Sequence, residues 1–332
     1  MSNSSIDPKA LVAEAERAGA ALERVRGEIA KAVFGQERVI ELTLAAMLAG
    51  GHVLLVGAPG LAKTRLVEAM ARVLGLDWAR VQFTPDLMPA DILGSEVLDQ
   101  DANGRRQFRF VQGPIFTQLL MADEINRASP RTQSALLQAM QERHVTVAGQ
   151  AYDVPAPFHV LATQNPIEHE GAYPLPEAQL DRFLLQVDVP YPDAETERRI
   201  LIETTGLEDA RPQAVLDAAA LMRLQQLVRA MPVGEKVVAS ILELVRSARP
   251  DTSHDPRVNQ HVAWGPGPRA GQALMLAVRA RALLRGRLAP AIDDVAALAR
   301  PALVHRMQLS FGARAEGLDI DTLVDELAER AA

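Results

Sequence analysis

No cysteine occurs anywhere in the chain. That removes disulfides, thiolate metal sites and cysteine nucleophiles, and it leaves the redox compartment open. There is no run of about 18 apolar residues of the kind a membrane helix needs, and the opening stretch MSNSSIDPKALVAEAERAGAALERV holds no apolar core like that of a secretory signal. A soluble, cytoplasmic protein with no membrane insertion is expected. Positive charge is also in short supply: 35 Lys and Arg stand against 42 Asp and Glu, a net charge of −7. A dominant attraction to nucleic acid or to an anionic membrane is therefore not the default reading, although local basic patches are compatible with this balance. The seven histidines (His52, His144, His159, His169, His254, His261 and His305) form no cluster at metal-ligand spacing, so they read as surface or core residues. No repeat or low-complexity tract is evident. What remains, 48% hydrophobic and 23% charged over 332 residues, suits a globular protein with a sizeable core in one large domain or two smaller ones.

Residues 10–33 place Leu11, Val12, Leu22, Val25, Ile29 and Val33 at helical spacing, and FGQERVIELTLAAMLAG predicts a second helix stopped by Gly50 and Gly51. HVLLVG is too short for a helix and rich in branched residues, as a buried parallel strand would be. It runs directly into GAPGLAKTR, after which KTRLVEAMARVLG predicts a helix ending at Gly75. Farther on, ARVQF, TQLLMADE and HVLATQN read as strands, and SPRTQSALLQAMQER as a helix capped by Ser129 with Pro130 in its first position. The alternation implies an α/β fold with a mostly parallel sheet. Two insertions interrupt it, each expected to be a β-hairpin: one divided at Asn103-Gly104, the other at Gly149-Gln150. From 195 to 330 the pattern is helical with no convincing strand, with helices expected at 194–206, 215–230, 235–248, 269–285 and 291–308. The Pro/Gly-rich stretch 249–268 separates the third from the fourth.

The loop of Gly57, Ala58, Pro59, Gly60, Leu61, Ala62, Lys63, Thr64 and Arg65 sits between strand and helix, where backbone N–H groups can surround phosphates. In such a loop a lysine reaches the β/γ oxygens and a hydroxyl, here Thr64, holds Mg²⁺. Ala62 occupies the place of the second glycine in G-x-x-x-x-G-K-[ST]. Its methyl is tolerable if φ is negative there, and Gly60 is the better candidate for a positive φ. Asp123 and Glu124 end the strand LLMADE, where one carboxylate can orient a metal-bound water and the other take a proton from the attacking water. By itself such a pair is also common on any surface. Asn165 can bond the γ-phosphate or that water if its strand lies between the other two; alone before Pro166 it is as easily a turn residue.

In order along the chain, GAPGLAKT, LLMADEINRA, LATQNP, EAQLDRF and GPGPRAGQAL closely resemble the MoxR family of AAA+ ATPases over roughly residues 30–310. Alanine at position 62 is characteristic of that family's phosphate loop. The resemblance implies a P-loop αβα core with a parallel sheet and two hairpin insertions over residues 1–192, followed by an all-helical lid over 193–332. It assigns phosphate and Mg²⁺ binding to Lys63 and Thr64, metal orientation and the catalytic base to Asp123 and Glu124, and the sensor-1 role to Asn165. Arg182 then corresponds to an arginine finger completing a neighbouring subunit's site, Arg269 to sensor 2, and Gly35 and Gln36 to the segment beside the adenine. Without the resemblance, Arg182 reads as a salt bridge to Asp181 or Glu177. A cation at a helix start, as Arg269 is, calls for an anionic partner. Arg127 is open between a nucleotide contact and solvation of a helix start. The arginines of RARALLRGR read as a solvated or interprotomer face.

The expected function is Mg²⁺-dependent ATP hydrolysis at the interfaces of a homo-oligomer, a hexamer by resemblance, driving chaperone-like remodelling, maturation or activation of a client. A protein with a von Willebrand A domain is the partner the resemblance suggests. Two alternatives share the same motor: a magnesium- or cobalt-chelatase-like subunit, and a DNA-dependent motor whose hairpins touch nucleic acid. For the second, Arg105 and Arg106 qualify, but the other hairpin carries no basic residue between 145 and 154.

Overall fold

The computed structural model describes residues 8–100, 106–166, 173–206 and 211–331. The first half alternates helices and strands: α1 (Pro8–Ala30), α2 (Glu37–Leu48), β1 (Val53–Val56), α3 (Lys63–Val73), β2 (Trp78–Gln82), α4 (Pro89–Leu93), β3 (Gly94–Gln100), β4 (Arg106–Gln112), β5 (Leu119–Asp123), α5 (Pro130–Glu142), β6 (His144–Val147), β7 (Gln150–Asp153), β8 (His159–Gln164), α6 (Glu177–Leu180) and β9 (Leu185–Asp188). Five of the strands form one sheet in the order β2-β5-β8-β1-β9, every pair parallel. Successive side chains of a strand point to opposite faces. Hence Val53 and Leu55 of β1, with Leu119 and Met121 of β5, enter one core, while Leu54, Leu120 and Ala122 enter the other. Both faces are covered, which explains the unbroken apolar runs in the sequence. β9 lies outside the expected strands because its four residues alternate between buried and more exposed positions and make no apolar run.

Ser129 caps α5 as expected, accepting the Thr132 N–H, with Pro130 in the first turn. Both insertions are antiparallel hairpins, β3 with β4 and β6 with β7. The expected Asn103-Gly104 turn lies outside the described residues. In the second hairpin the turn falls one residue earlier than expected, on Ala148 and Gly149, whose φ values of 50° and 84° suit the primed turns that match strand twist. Phe110 and Tyr152 stack at 4.1 Å between centroids and tie the two hairpins together.

The second half holds α7 (Ala194–Thr204), α8 (Ala218–Ala230), α9 (Glu235–Ser247), α10 (Pro256–His261), β10 (Val262–Trp264), α11 (Pro268–Leu284), α12 (Ile292–Leu303), β11 (Gln308–Leu309), α13 (Phe311–Ala315) and α14 (Ile320–Ala331). Among the described residues it is helical apart from one short antiparallel pair, β10 with β11, which the sequence pattern does not predict. The helix expected over 291–308 ends at Leu303, because a 3-10 turn, Val304–Arg306, swings His305 and Arg306 inward. One continuous core joins α1, α2 and α3 to α8, α9, α11, α12 and α14.

The arginines of RARALLRGR are not a wholly solvated face, although Arg285 is 44% exposed. Arg281 is 4% exposed and pairs with Glu41 of α2 at 3.0 Å and with the fully buried Asp294 of α12 at 2.5 Å. Arg285 takes Glu41 at 3.0 Å, and Arg287 takes Asp294 at 2.5 Å. Asp294 also accepts the Ala291 N–H at 2.8 Å. Ionised groups removed from water need partners on every side, and here the network couples α2 to the C-terminal helices.

Candidate nucleotide site

β1 delivers the glycine-rich loop and α3 begins at Lys63, so the loop sits at the C-terminal edge of the sheet. A Cβ on Gly57 would lie 2.7 Å from the Val189 carbonyl oxygen, a close approach that only glycine permits. Gly60 has φ +82°, as expected. Ala62 does not follow expectation: its φ is +56° with ψ 20°, in the left-handed region. Two bonds impose this. Gln36 Nε2 donates to the Leu61 carbonyl at 3.0 Å, and the Ala62 carbonyl accepts the Leu66 N–H at 2.9 Å, the first bond of α3. The chain must turn within one residue between those anchors. A left-handed alanine costs about 1–2 kcal/mol, whereas glycine's extra freedom in the unfolded chain is worth about 0.4–1 kcal/mol. Ala62→Gly is therefore expected to raise unfolding free energy by about 0.5–1 kcal/mol and to keep nucleotide binding. Denaturant titration and nucleotide titration check both; a less stable variant would show that the methyl packs usefully.

The loop residues Pro59 to Arg65, with Asp123, Glu124 and Asn165, line one cleft of about 350 Å³. β8 does lie between β1 and β5, which is the condition that brings Asn165 beside the other two motifs. Lys63 Nζ donates to the carbonyls of Gly57 at 2.5 Å and Ala58 at 3.1 Å. Burial lowers the Lys63 pKa, opposed by Asp123 and Glu124.

Three residues to which the sequence pattern assigns no role organise the acidic pair. Thr163 Oγ1 donates to Asp123 Oδ1 at 2.6 Å and accepts the Glu124 N–H at 2.8 Å. Arg80 donates to Asp123 Oδ2 through Nε at 3.0 Å and Nη2 at 2.6 Å. Gln82 Nε2 donates to Glu124 Oε2 at 2.7 Å. Arg127, left open by the sequence, donates to that same oxygen at 2.8 Å. Glu124 itself has φ +55°, a strained conformation held by these contacts. The signals were faint: Thr163 precedes Asn165 by two, and Arg80 and Gln82 alternate along β2, so each pair shares a side of its strand.

Arg182 and Arg269 do not line this cleft. They line a separate pocket of about 140 Å³ with His52, Met140 and Gln141. Asp181 is the anion that Arg269 calls for, at 3.4 Å, and it also takes the buried Arg306 at 2.7 Å. Among the described residues, the ion pairs of Asp181 are to Arg269 and Arg306, and none joins Arg182 to Asp181 or Glu177. Gly35 and Gln36 line a third pocket, about 400 Å³, with Val39, Leu42, Asp188, Arg300 and Pro301. Gln36 is 8% exposed and its Oε1, among the described residues, is a buried acceptor without a donor.

Residues 52–185 match a family model described as the ATPase family associated with various cellular activities (AAA), and residues 254–327 match an AAA lid domain. The Mycobacterium tuberculosis protein named Chaperone MoxR1 is 41% identical over 312 residues, covering 94% of this chain and 82% of that protein. Protein MoxR of Methylorubrum extorquens is 33% identical, covering 87% of this chain and 88% of the other. A solved structure from Cytophaga hutchinsonii, described as a candidate ATPase, superposes with a TM-score of 0.88 at 34% identity, over 96% of this chain and 97% of that one.

Proposed function

The chain belongs to the MoxR family of AAA ATPases, and on that footing we propose that it is a homo-oligomeric, chaperone-type ATPase in which Mg²⁺-dependent hydrolysis at subunit interfaces remodels a partner protein. The observation that carries this reading is a division of labour. Lys63, Thr64, Asp123, Glu124 and Asn165 share one cleft, while Arg182 and Arg269 share another pocket with no lining residue in common. Neither Arg182 nor Arg269 lines the cleft that holds Lys63, so their charge would reach the γ-phosphate, in addition to that of Lys63, from a second copy. Turnover is then tied to assembly, here read as a hexamer.

The roles follow from the chemistry of the side chains. Lys63 exchanges the Gly57 and Ala58 carbonyls for phosphate oxygens. The Thr64 hydroxyl and the Asp123 carboxylate are hard oxygen donors suited to Mg²⁺, which when bound would neutralise phosphate charge. Glu124 takes the proton of the attacking water and Asn165 orients that water. Gln36 Oε1, buried without a donor among the described residues, suits the 6-amino group of adenine, where guanine carries a carbonyl oxygen. Residues 1–192 form the nucleotide-binding core and 193–332 the lid. A von Willebrand A domain protein is the partner this reading expects, with a separate client as the remodelled protein.

The test is ATP turnover of Lys63→Ala, Glu124→Gln and Arg182→Ala against the parent protein. Loss in all three supports the reading, and unchanged rates would overturn it.

A further inference from the structure

Arg306 is 1% exposed, yet every N–H of its guanidinium has an acceptor. Nε donates to Asp181 Oδ1 at 2.7 Å, Nη2 to the carbonyls of Asp181 at 3.3 Å and Phe183 at 2.6 Å, and Nη1 to those of Leu184 at 3.1 Å and Ala302 at 2.5 Å. Four of the five bonds go to residues on either side of Arg182. The adjacent His305 adds a fifth tie, Nε2–H to the Phe183 carbonyl at 3.1 Å. Two consecutive residues after α12 thus clamp the backbone of 181–184. Arg182, inside that clamped segment, lines the pocket it shares with Arg269.

Asp181 extends the clamp to Arg269, because its second oxygen accepts Arg269 Nη1 at 3.4 Å. Burial is the main pressure against the charged form of Arg306 and the nearby Arg269 adds a smaller one, while the Asp181 carboxylate between the two arginines opposes both. We propose that Arg306 is a positioning residue for catalysis between subunits: through the 181–184 backbone and through Asp181 it holds Arg182 and Arg269 as one unit, presented to a neighbouring subunit's nucleotide. This rests on the reading that both arginines act across an interface. A buried arginine could serve packing alone, and replacing such charges by apolar groups is often harmless. The role claimed here differs in a measurable way, since it concerns the neighbour's nucleotide and not the subunit's own.

The experiment mixes subunits. An Arg306→Gln subunit keeps its own cleft but presents disordered arginines, whereas a Glu124→Gln subunit has a dead cleft and intact arginines. Arg306→Gln alone is expected to bind ATP as the parent does, with kcat lowered about tenfold or more and KM little changed. Mixed one to one with Glu124→Gln, it regains turnover to about a quarter of the parent rate, about two- to threefold above Arg306→Gln alone when that variant is slowed tenfold, because about one interface in four then joins a live cleft to ordered arginines. Arg182→Ala mixed with Glu124→Gln is the control. If the control mixture recovers and the Arg306→Gln mixture does not, Arg306 serves the fold only and the proposal is overturned. If neither recovers, action across the interface itself fails and the proposal goes with it. Asp181→Asn, which keeps the side-chain size, provides the same comparison where Arg306→Gln proves unfolded by thermal melting.

Discussion

Glu124→Gln is expected to slow ATP hydrolysis by about 10²–10⁴-fold, the usual contribution of a positioned general base, while ATP still binds. The amide matches the carboxylate in shape but cannot accept the proton of the attacking water. Binding survives because Lys63 and the loop N–H groups are untouched, and the Glu124 backbone stays anchored by its N–H bond to Thr163 Oγ1. In the structure both side-chain bonds to this residue, from Gln82 and from Arg127, land on Oε2. The amide oxygen of glutamine can still accept both, so the loop has no reason to rearrange and the loss reports chemistry. Pre-steady-state turnover alongside equilibrium binding of a fluorescent nucleotide separates the two quantities. A loss below about tenfold would mean that another group accepts the proton.

How much of this was legible beforehand depended on whether a feature is local. The β1-loop-α3 unit was, because an apolar run, two glycines, Lys63 and Thr64 follow one another without interruption. So were the carboxylates at the end of β5, and the place of Asn165 was stated as a condition on strand order that the sheet meets. Arg80, Gln82 and Thr163 were not, since their partners lie on other strands and nothing in ARVQF or LATQN names them. The sign of φ at Ala62 is not legible for the same reason: intrinsic preference is worth only about 1–2 kcal/mol, and a clamp from Gln36, distant in sequence, outweighs it. The buried network of Glu41, Arg281 and Asp294 also joins residues far apart, so its arginines looked like a surface stripe. Short strands such as β9, β10 and β11 carry too few residues to show a period, and their pairing partners decide them.

Acidification from pH 7 to pH 5 is expected to weaken the fold by about 4 kcal/mol through His52 and His159, before most carboxylates begin to titrate. Burial is the main cause in both: it lowers the pKa of His52 from 6.5 to about 3 and of His159 to about 4. The bonding explains why neither ring has room for a second proton. His52 Nε2 faces the Met140 carbonyl at 3.2 Å, so its Nδ1 is the acceptor of the Val160 N–H at 2.9 Å. His159 Nδ1 faces the Gly51 carbonyl at 2.8 Å, and its Nε2 accepts from Gln225 Nε2 at 3.0 Å. Charging either ring would break an N–H bond in the core and place a cation near Arg143. His305 acts in the same direction: burial and Arg306 hold its pKa well below 6.5, and its Nδ1 is buried with no partner among the described residues. Well above pH 6.5 these rings are neutral in both folded and unfolded chains and stability does not depend on them. Below it the unfolded chain gains protons that the folded chain refuses, so stability falls with pH until the folded pKa values near 4 and 3 are reached. Each ring costs about 2 kcal/mol at pH 5, a large share of an ordinary stability of about 5–15 kcal/mol. Denaturant titrations at pH 7.5, 6.5, 5.75 and 5 check the slope, and His159→Gln should flatten it by about 2 kcal/mol over the same interval. A stability constant between pH 7 and 5 would show that these rings are solvated or already paired with an acid. Function should feel the change as well, because His52 lines the pocket of Arg182 and Arg269 while His305 bonds the carbonyl next to Arg182. Turnover at mildly acid pH is therefore expected to fall before nucleotide binding in the Lys63 cleft does.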